Sequence, residues 1–415
     1  MNQIGNSKLK SGISMLSAFS IYILWLAAVF DPTGWIYGLR YVALGCVLFV
    51  LAINFFFNGP VLRIHRPYIS LFFFFVYCLP FYGMTVAFIR GGLWEGNFID
   101  TSYLVGGIYF ACSLIYFSNE NLSVAFRAHI FSLRCLSLII ILALIFLLAN
   151  LPLDWIYFFV VGGAAFLGER NYGGINFYYI YFIASPMIMF LLAHEAWVFF
   201  EKPSLRKFLL LMLPVIALFL SGTRANMLIS VVGIFLVFFW RRYKFMSLLY
   251  FLGLLFLFFI GISIFDFNVV ADMLNSADAS NAIKIGYLNS YFEIFLDPAT
   301  LLFGQGFNAH VWSQPFSSML EEGASKTELT YFEFLRVFGM VGVMAFVAII
   351  YRLFSSIRAA PQNYQWLAPG LLLYLFVSAT NPYIFSSNGM LLIGLAAVAV
   401  SRCSSQRNSN FNIKQ

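Results

Sequence analysis

Stretches of roughly twenty apolar residues recur along this 415-residue chain, and a helix of that length is what crosses the hydrocarbon core of a bilayer. Candidate spans fall at 12–30, 35–57, 67–88, 102–118, 131–149, 174–193, 208–221, 225–240, 246–265, 328–351, 366–380 and 390–402. With 62% hydrophobic and 10% charged residues, the chain has no polar surface to offer water, so the bilayer is its solvent. The expectation is an all-α polytopic integral membrane protein of about twelve transmembrane helices, forming a single membrane domain. Period-2 alternation, which would suggest barrel strands, is not evident. The apolar run from Ser11 to Phe30 is too long for a signal peptide, and no small-x-small site follows it. It reads as an uncleaved first span.

Basic residues orient the chain. With both termini in the cytoplasm, all but seven of the 24 lysines and arginines fall on the inner side, among them Lys8, Arg66, Arg134, Lys207, Arg241 and Arg352. Only Glu120, Glu195 and Glu201 join them there. The net charge of +7 is then a topology signal and not a nucleic-acid footprint. None of the five cysteines falls in an outer loop, so neither a disulfide framework nor a metal site is expected.

Two outer segments are long. One covers 150–173 and contains "GERNYGG". The other, 266–327, is the large outer loop. Within it Ile285, Leu288, Phe292 and Phe295 recur at helical spacing, as in a short amphipathic helix on the membrane surface. "DPATLLFGQGFN" follows as a turn punctuated by proline and glycine.

The seven basic residues on the outer side are Arg40, Arg90, Arg170, Arg224, Lys284, Lys326 and Arg336. Each either snorkels or pairs with a nearby acid, or else serves an anion. Arg224 stands at the tip of "FLSGTRANML", between two apolar runs. Its planar fork suits phosphate, to which it can donate two parallel hydrogen bonds. Glu169, Arg170, Asn171 and Tyr172 are flanked by glycines in "GERNYGGINFYY". In "KTELTYFEFLRVFGMVG", Glu328 and Tyr331 stand at the mouth of an apolar span. Glu333 and Arg336 lie three apart on one helix face, where they can pair. His310 is the one histidine of four on the outer side, a loop residue or a general base. "GQG" lacks a Walker lysine, and Asp266, Asp272 and Asp278 are too dispersed for a compact metal clamp.

The order "SGTRA", "LFGQGFN", "ELTYFEFLRVFGMVGVMAF" and "NPYIFSSNGM" over roughly 165–400 resembles the Wzy-type O-antigen polymerases and the related O-antigen ligases. That resemblance implies a C-type-glycosyltransferase-like fold in the bacterial inner membrane, with one large periplasmic loop and a periplasmic active site. It implies a metal-independent membrane glycosyltransferase of lipopolysaccharide biosynthesis that needs no cofactor. Its substrate would be an oligosaccharide linked to undecaprenyl diphosphate. A polymerase moves the growing glycan onto the non-reducing end of another lipid-linked repeat unit, whereas a ligase moves it to lipid A–core. A chain-length regulator and a flippase of the same pathway are the implied partners, beside membrane lipid.

On that reading Arg170, Arg224 and Arg336 bind the diphosphate and stabilise its developing charge. Glu328 receives or orients the acceptor proton, and Glu333 holds Arg336. Tyr172, Tyr331, Lys284 and His310 complete the expected substrate contacts, with Tyr291 and Trp312 as further sugar-stacking candidates. The ligases, as the family implies, carry a histidine near the span that follows the loop; "KTELTYFEF" has glutamates instead, which favours polymerase. A twelve-span oligosaccharide-lipid flippase is the reading from another class, although the halves show no symmetry.

Overall fold

The computed structural model describes residues 2–36, 38–58, 66–91, 100–118, 122–172, 175–241, 279–318, 320, 326–380 and 383–412. The chain is mostly helical. Helices α1 (Asn2–Phe30) and α2 (Leu39–Asn58) are followed by α3 (Arg66–Phe73) and α4 (Leu79–Gly91), joined through a π-helical turn, Phe74–Cys78. Then come α5 (Thr101–Ser118), α6 (Leu122–Leu148) and α7 (Asp154–Val161). Strands β1 (Ala165–Tyr172) and β2 (Ile175–Phe182) precede α8 (Ile188–Glu201), α9 (Leu205–Leu220) and α10 (Arg224–Trp240). The large loop contributes α11 (Ala279–Phe295), α12 (Pro298–Phe303) and the single turn α13 (Gln314–Ser317). Helices α14 (Thr330–Arg358), α15 (Leu367–Val377) and α16 (Ser387–Asn412) complete the described fold.

Among the described residues, five helices are long and apolar enough to cross a membrane: Gly12–Phe30, Leu39–Phe57, Tyr68–Gly91, Leu122–Leu148 and Thr330–Arg358. Thr101–Phe117, Arg224–Trp240 and Ser387–Val400 are apolar but shorter. The protein is membrane-embedded. The expected span at 246–265 and the first part of the large loop, 266–278, lie outside the described residues.

Interhelical packing relies on small residues, as it does where lipid removes the hydrophobic drive between helices. Helix α16 lies against α5 so closely that a Cβ on Gly394 would overlap the Ser113 side chain. One apolar cluster runs from α1 to α16, and a smaller one sits in the large loop around Tyr287, Tyr291, Ile294, Ala309, Phe316 and Leu329.

Two expectations are corrected. Residues 175–182 do not begin a span: they pair with 165–172 in an antiparallel hairpin, Ala165 opposite Phe182 and Arg170 opposite Phe177. The helix expected there starts only at Ile188. Only Gly173 and Gly174 separate the strands, the sequence signal for a two-residue hairpin link. The hairpin packs against α6, α7 and α9.

Arg134 and Glu195 are not inner-loop charges. They sit within α6 and α8, where Arg134 Nη2 meets Glu195 Oε1 at 2.6 Å and the carboxylate is 2% exposed. The amphipathic helix forms as α11, with Ile285 and Phe292 of its apolar stripe pointing outward. Tyr287, Tyr291 and Ile294 are the residues buried, against the loop's own small core.

Candidate functional site

Two clusters gather the candidate residues. The first forms around Tyr179 of β2. Thr223 caps α10, its hydroxyl accepting from Asn226 N at 3.3 Å. Ser221 donates to Leu218 O at 2.7 Å and accepts from Asn226 Nδ2 at 2.8 Å. Between them Gly222 has φ +70°, and its Cα touches Tyr179 so closely that a Cβ would lie 2.2 Å from the tyrosine Cβ. The Arg170 guanidinium stacks over the same ring at 5.2 Å, a cation–π contact. Tyr179 thus joins the two arginine-bearing segments, "GERNYGG" and "SGTRAN". Arg224 is the first residue of α10 and is partly exposed. A cation there opposes the helix macrodipole, at a cost of about 0.3–1 kcal/mol. The side chain of Tyr172 lies outside the described residues.

The second cluster centres on Arg336, which is 1% exposed. Its Nη2 donates to Glu333 Oε1 at 2.5 Å and its Nε to Oε2 at 3.1 Å, so the carboxylate occupies the fork. Nη1 reaches Gly306 O at 3.4 Å, and the guanidinium lies 3.8 Å from the Phe316 ring centre. Tyr291 donates to Glu333 Oε2 at 2.7 Å and shares a hydrogen bond with Thr327 Oγ1 at 2.6 Å. Burial pushes the Tyr291 phenol well above its usual range, which keeps it a neutral donor. In this arrangement Arg336 and Glu333 hold the large loop to α14.

The other candidates surround this core. Lys284 Nζ lies 3.7 Å from Glu328 Oε2, at an exposed rim. The Tyr331 hydroxyl donates to Leu375 O at 2.6 Å and so ties α14 to α15. His310 feels both Arg336 and Glu333, and its buried Nδ1 has no hydrogen-bond partner. Burial lowers the His310 imidazole first, and the Arg336 charge adds to it. Lys326 binds Asp100 at 2.5 Å and Ser102 Oγ at 2.6 Å, under the face of Tyr103.

Sequence reasoning missed the backbone side of this cluster. Helix α14 breaks at Gly339, where φ is +61°. The carbonyls of Arg336 and Val337 are taken by Gln305 N at 2.6 Å and Gly306 N at 3.0 Å. The signal was present in three glycines, Gly304, Gly306 and Gly339, all with positive φ. Arg90, read as snorkelling or pairing with an acid, pairs with Asp297 Oδ2 at 2.5 Å and also reaches Thr300 Oγ1 at 2.9 Å and Gly304 O at 3.0 Å.

These features define a membrane-embedded helical protein in which a structured loop is built into the ends of two apolar helices. No family model matches the chain, and no curated protein matches it.

Proposed function

We propose that this protein is a surface-polysaccharide (O-antigen) polymerase of the bacterial inner membrane, with twelve spans, both termini cytoplasmic and its site at the periplasmic face. The observation that carries the reading is the meeting of the Arg170 and Arg224 segments at Tyr179. Two arginine-bearing segments far apart in sequence, one a strand and one a helix start, frame a single tyrosine. A lipid diphosphate offers the doubly charged, planar-donor-seeking group that such a corner suits.

In the reaction, an acceptor-sugar hydroxyl oxygen bonds to the anomeric carbon of the donor glycan. The bond from that carbon to the phosphate oxygen breaks, and the undecaprenyl diphosphate leaves with the bonding pair. Arg170 and Arg224 stabilise its charge. Glu328, 59% exposed on its side chain at the loop rim, takes the acceptor proton. Arg336 acts through Glu333 and the loop it holds. Tyr331 supports α14 from behind, while Lys284 sets the orientation of Glu328. A chain-length regulator and a flippase would work beside the enzyme.

One observation favours a second reading. The unpartnered Nδ1 of His310, beside Arg336, suits the histidine base of an O-antigen ligase. Complementation of a strain lacking the gene separates the two, with surface polysaccharide read on a gel at matched membrane levels. Polymerase predicts a long ladder for wild type, core plus one repeat for Arg224→Ala, and no change for His310→Ala. Loss of even the single-repeat band when the gene is removed would instead mean a ligase or a flippase.

A further inference from the structure

The turn after α12 lies well below the ends of the two helices that hold it. Phe307 N donates to Gly83 O at 3.2 Å, and Gly83 is eight residues, or about 12 Å, inside the C-terminal end of α4. On the other side the turn meets α14 at Gly339, nine residues or about 13 Å inside its N-terminal end. Helix α14 and the run Tyr68–Gly91 that ends in α4 are each long and apolar enough to cross a membrane. A segment at this depth beside them meets hydrocarbon unless protein covers it.

Non-helical backbone survives there only if its polar groups are satisfied internally. From Phe303 to Phe307 the accounting is nearly complete. Phe303 O accepts from the Tyr82 hydroxyl at 3.1 Å. Gly304 N donates to Thr300 O at 2.8 Å, and Gly304 O accepts from Arg90. Gln305 N and Gly306 N use the carbonyls freed by the Gly339 break, and Gly306 O accepts from Arg336. A loop in water has no need of this: two arginines and a tyrosine are spent on three carbonyls.

The side chains agree. Leu302 and Phe303 are 49% and 54% exposed, although they sit at the deep end of the segment. They continue the outward-facing apolar surface of the helices beside them, which carries Phe81 and Phe88 on α4 and Met340 and Met344 on α14. Polar anchors lie at the shallow end, where Asp297 caps α12 and binds Arg90.

We propose that residues 298–307 form a re-entrant segment, inserted into the outer-face leaflet with Leu302 and Phe303 against lipid acyl chains. Arg90, Arg336 and Tyr82 serve as the backbone partners that make the insertion affordable. The proposal depends on the membrane placement of α4 and α14 and not on the glycosyltransferase reading, so either can fail alone.

The test places a spin label at Leu302→Cys or Phe303→Cys in the full chain, in a background whose native cysteines are replaced, reconstituted in phospholipid vesicles. Phe81→Cys is the lipid-facing control and Ser318→Cys the aqueous one. The expected result is collision with oxygen and loss of collision with a water-soluble nickel chelate, as for Phe81. Nickel access like that of Ser318 overturns the proposal. Exclusion of both reagents overturns it as well, since a protein surface would then cover the segment. Should the cysteine-free background fail to fold, a photoreactive residue replacing Phe303 in the otherwise native chain gives the same answer: a lipid adduct supports insertion, and a peptide adduct or none refutes it.

Discussion

Tyr291 reaches across the loop to Glu333 and donates its phenolic hydrogen to Oε2 at 2.7 Å, tying α11 to α14. The same carboxylate holds Arg336, whose Nη1 supports the glycine turn. Loop, turn and helix are therefore one mechanical unit, and substitutions can take it apart in order.

Removing the Tyr291 hydroxyl isolates the first link. Tyr291→Phe keeps the ring stacked near Phe295 and Phe332 but leaves Glu333 and Thr327 short of a partner. The expected cost is about 1–3 kcal/mol, seen as a lower midpoint in detergent thermal unfolding. An unchanged midpoint would mean that the bond contributes nothing.

The buried pair behaves differently from its parts. Glu333→Gln or Arg336→Met alone strands a buried charge or donor fork, at about 3–5 kcal/mol each. The double variant should cost clearly less than the sum. A strictly additive double-mutant cycle on folded membrane protein would rule out the coupling.

Two glycines of the large loop should respond in opposite ways to the same change. A Cβ on Gly306, where φ is +76°, would lie 2.2 Å from Ala87 N, so Gly306→Ala should abolish stable accumulation. Gly286 has open space around it and sits within α11, so Gly286→Ala should be neutral or gain up to about 1 kcal/mol. Membrane levels by immunoblot decide the contrast.

His310 gives the loop a pH dependence of known sign. Its folded value lies below the ordinary 6.5, chiefly through burial, so the unfolded chain binds the proton more readily. Stability should therefore rise with pH across the window from the lowered value up to about 6.5 and be flat above it. His310→Asn should remove that slope in thermal unfolding measured from pH 5 to pH 8. Persistence of the same slope would assign it to another group.

The five long apolar helices were legible because a helix in lipid needs nothing but length and apolarity. So was the Glu333–Arg336 pair, since residues three apart on a helix must share a face. The hairpin was not. "INFYYIYF" is apolar or aromatic at almost every position, so it shows neither a 3.6-residue nor a 2-residue period, and only its aromatic content and the Gly-Gly pair point to strands. Helix α11 is apolar on two sides, and spacing alone did not show that Tyr287, Tyr291 and Ile294 meet the loop core. The meeting of Arg170 and Gly222 at Tyr179 is tertiary: it needs a hairpin and a helix start from separate stretches of chain.

The pair formed by Arg134 and Glu195 has a bearing on how the protein is made. The two are 61 residues apart in the chain, and a guanidinium twelve residues into an apolar helix is costly to release into lipid by itself. When α6 leaves the ribosome, its counter-charge has not yet been synthesised. The pair therefore forms only once α8 has followed α6 along the chain. The ion pair thereby couples the assembly of α6 to that of α8, and a chain truncated before Glu195 would leave the arginine without its counter-charge.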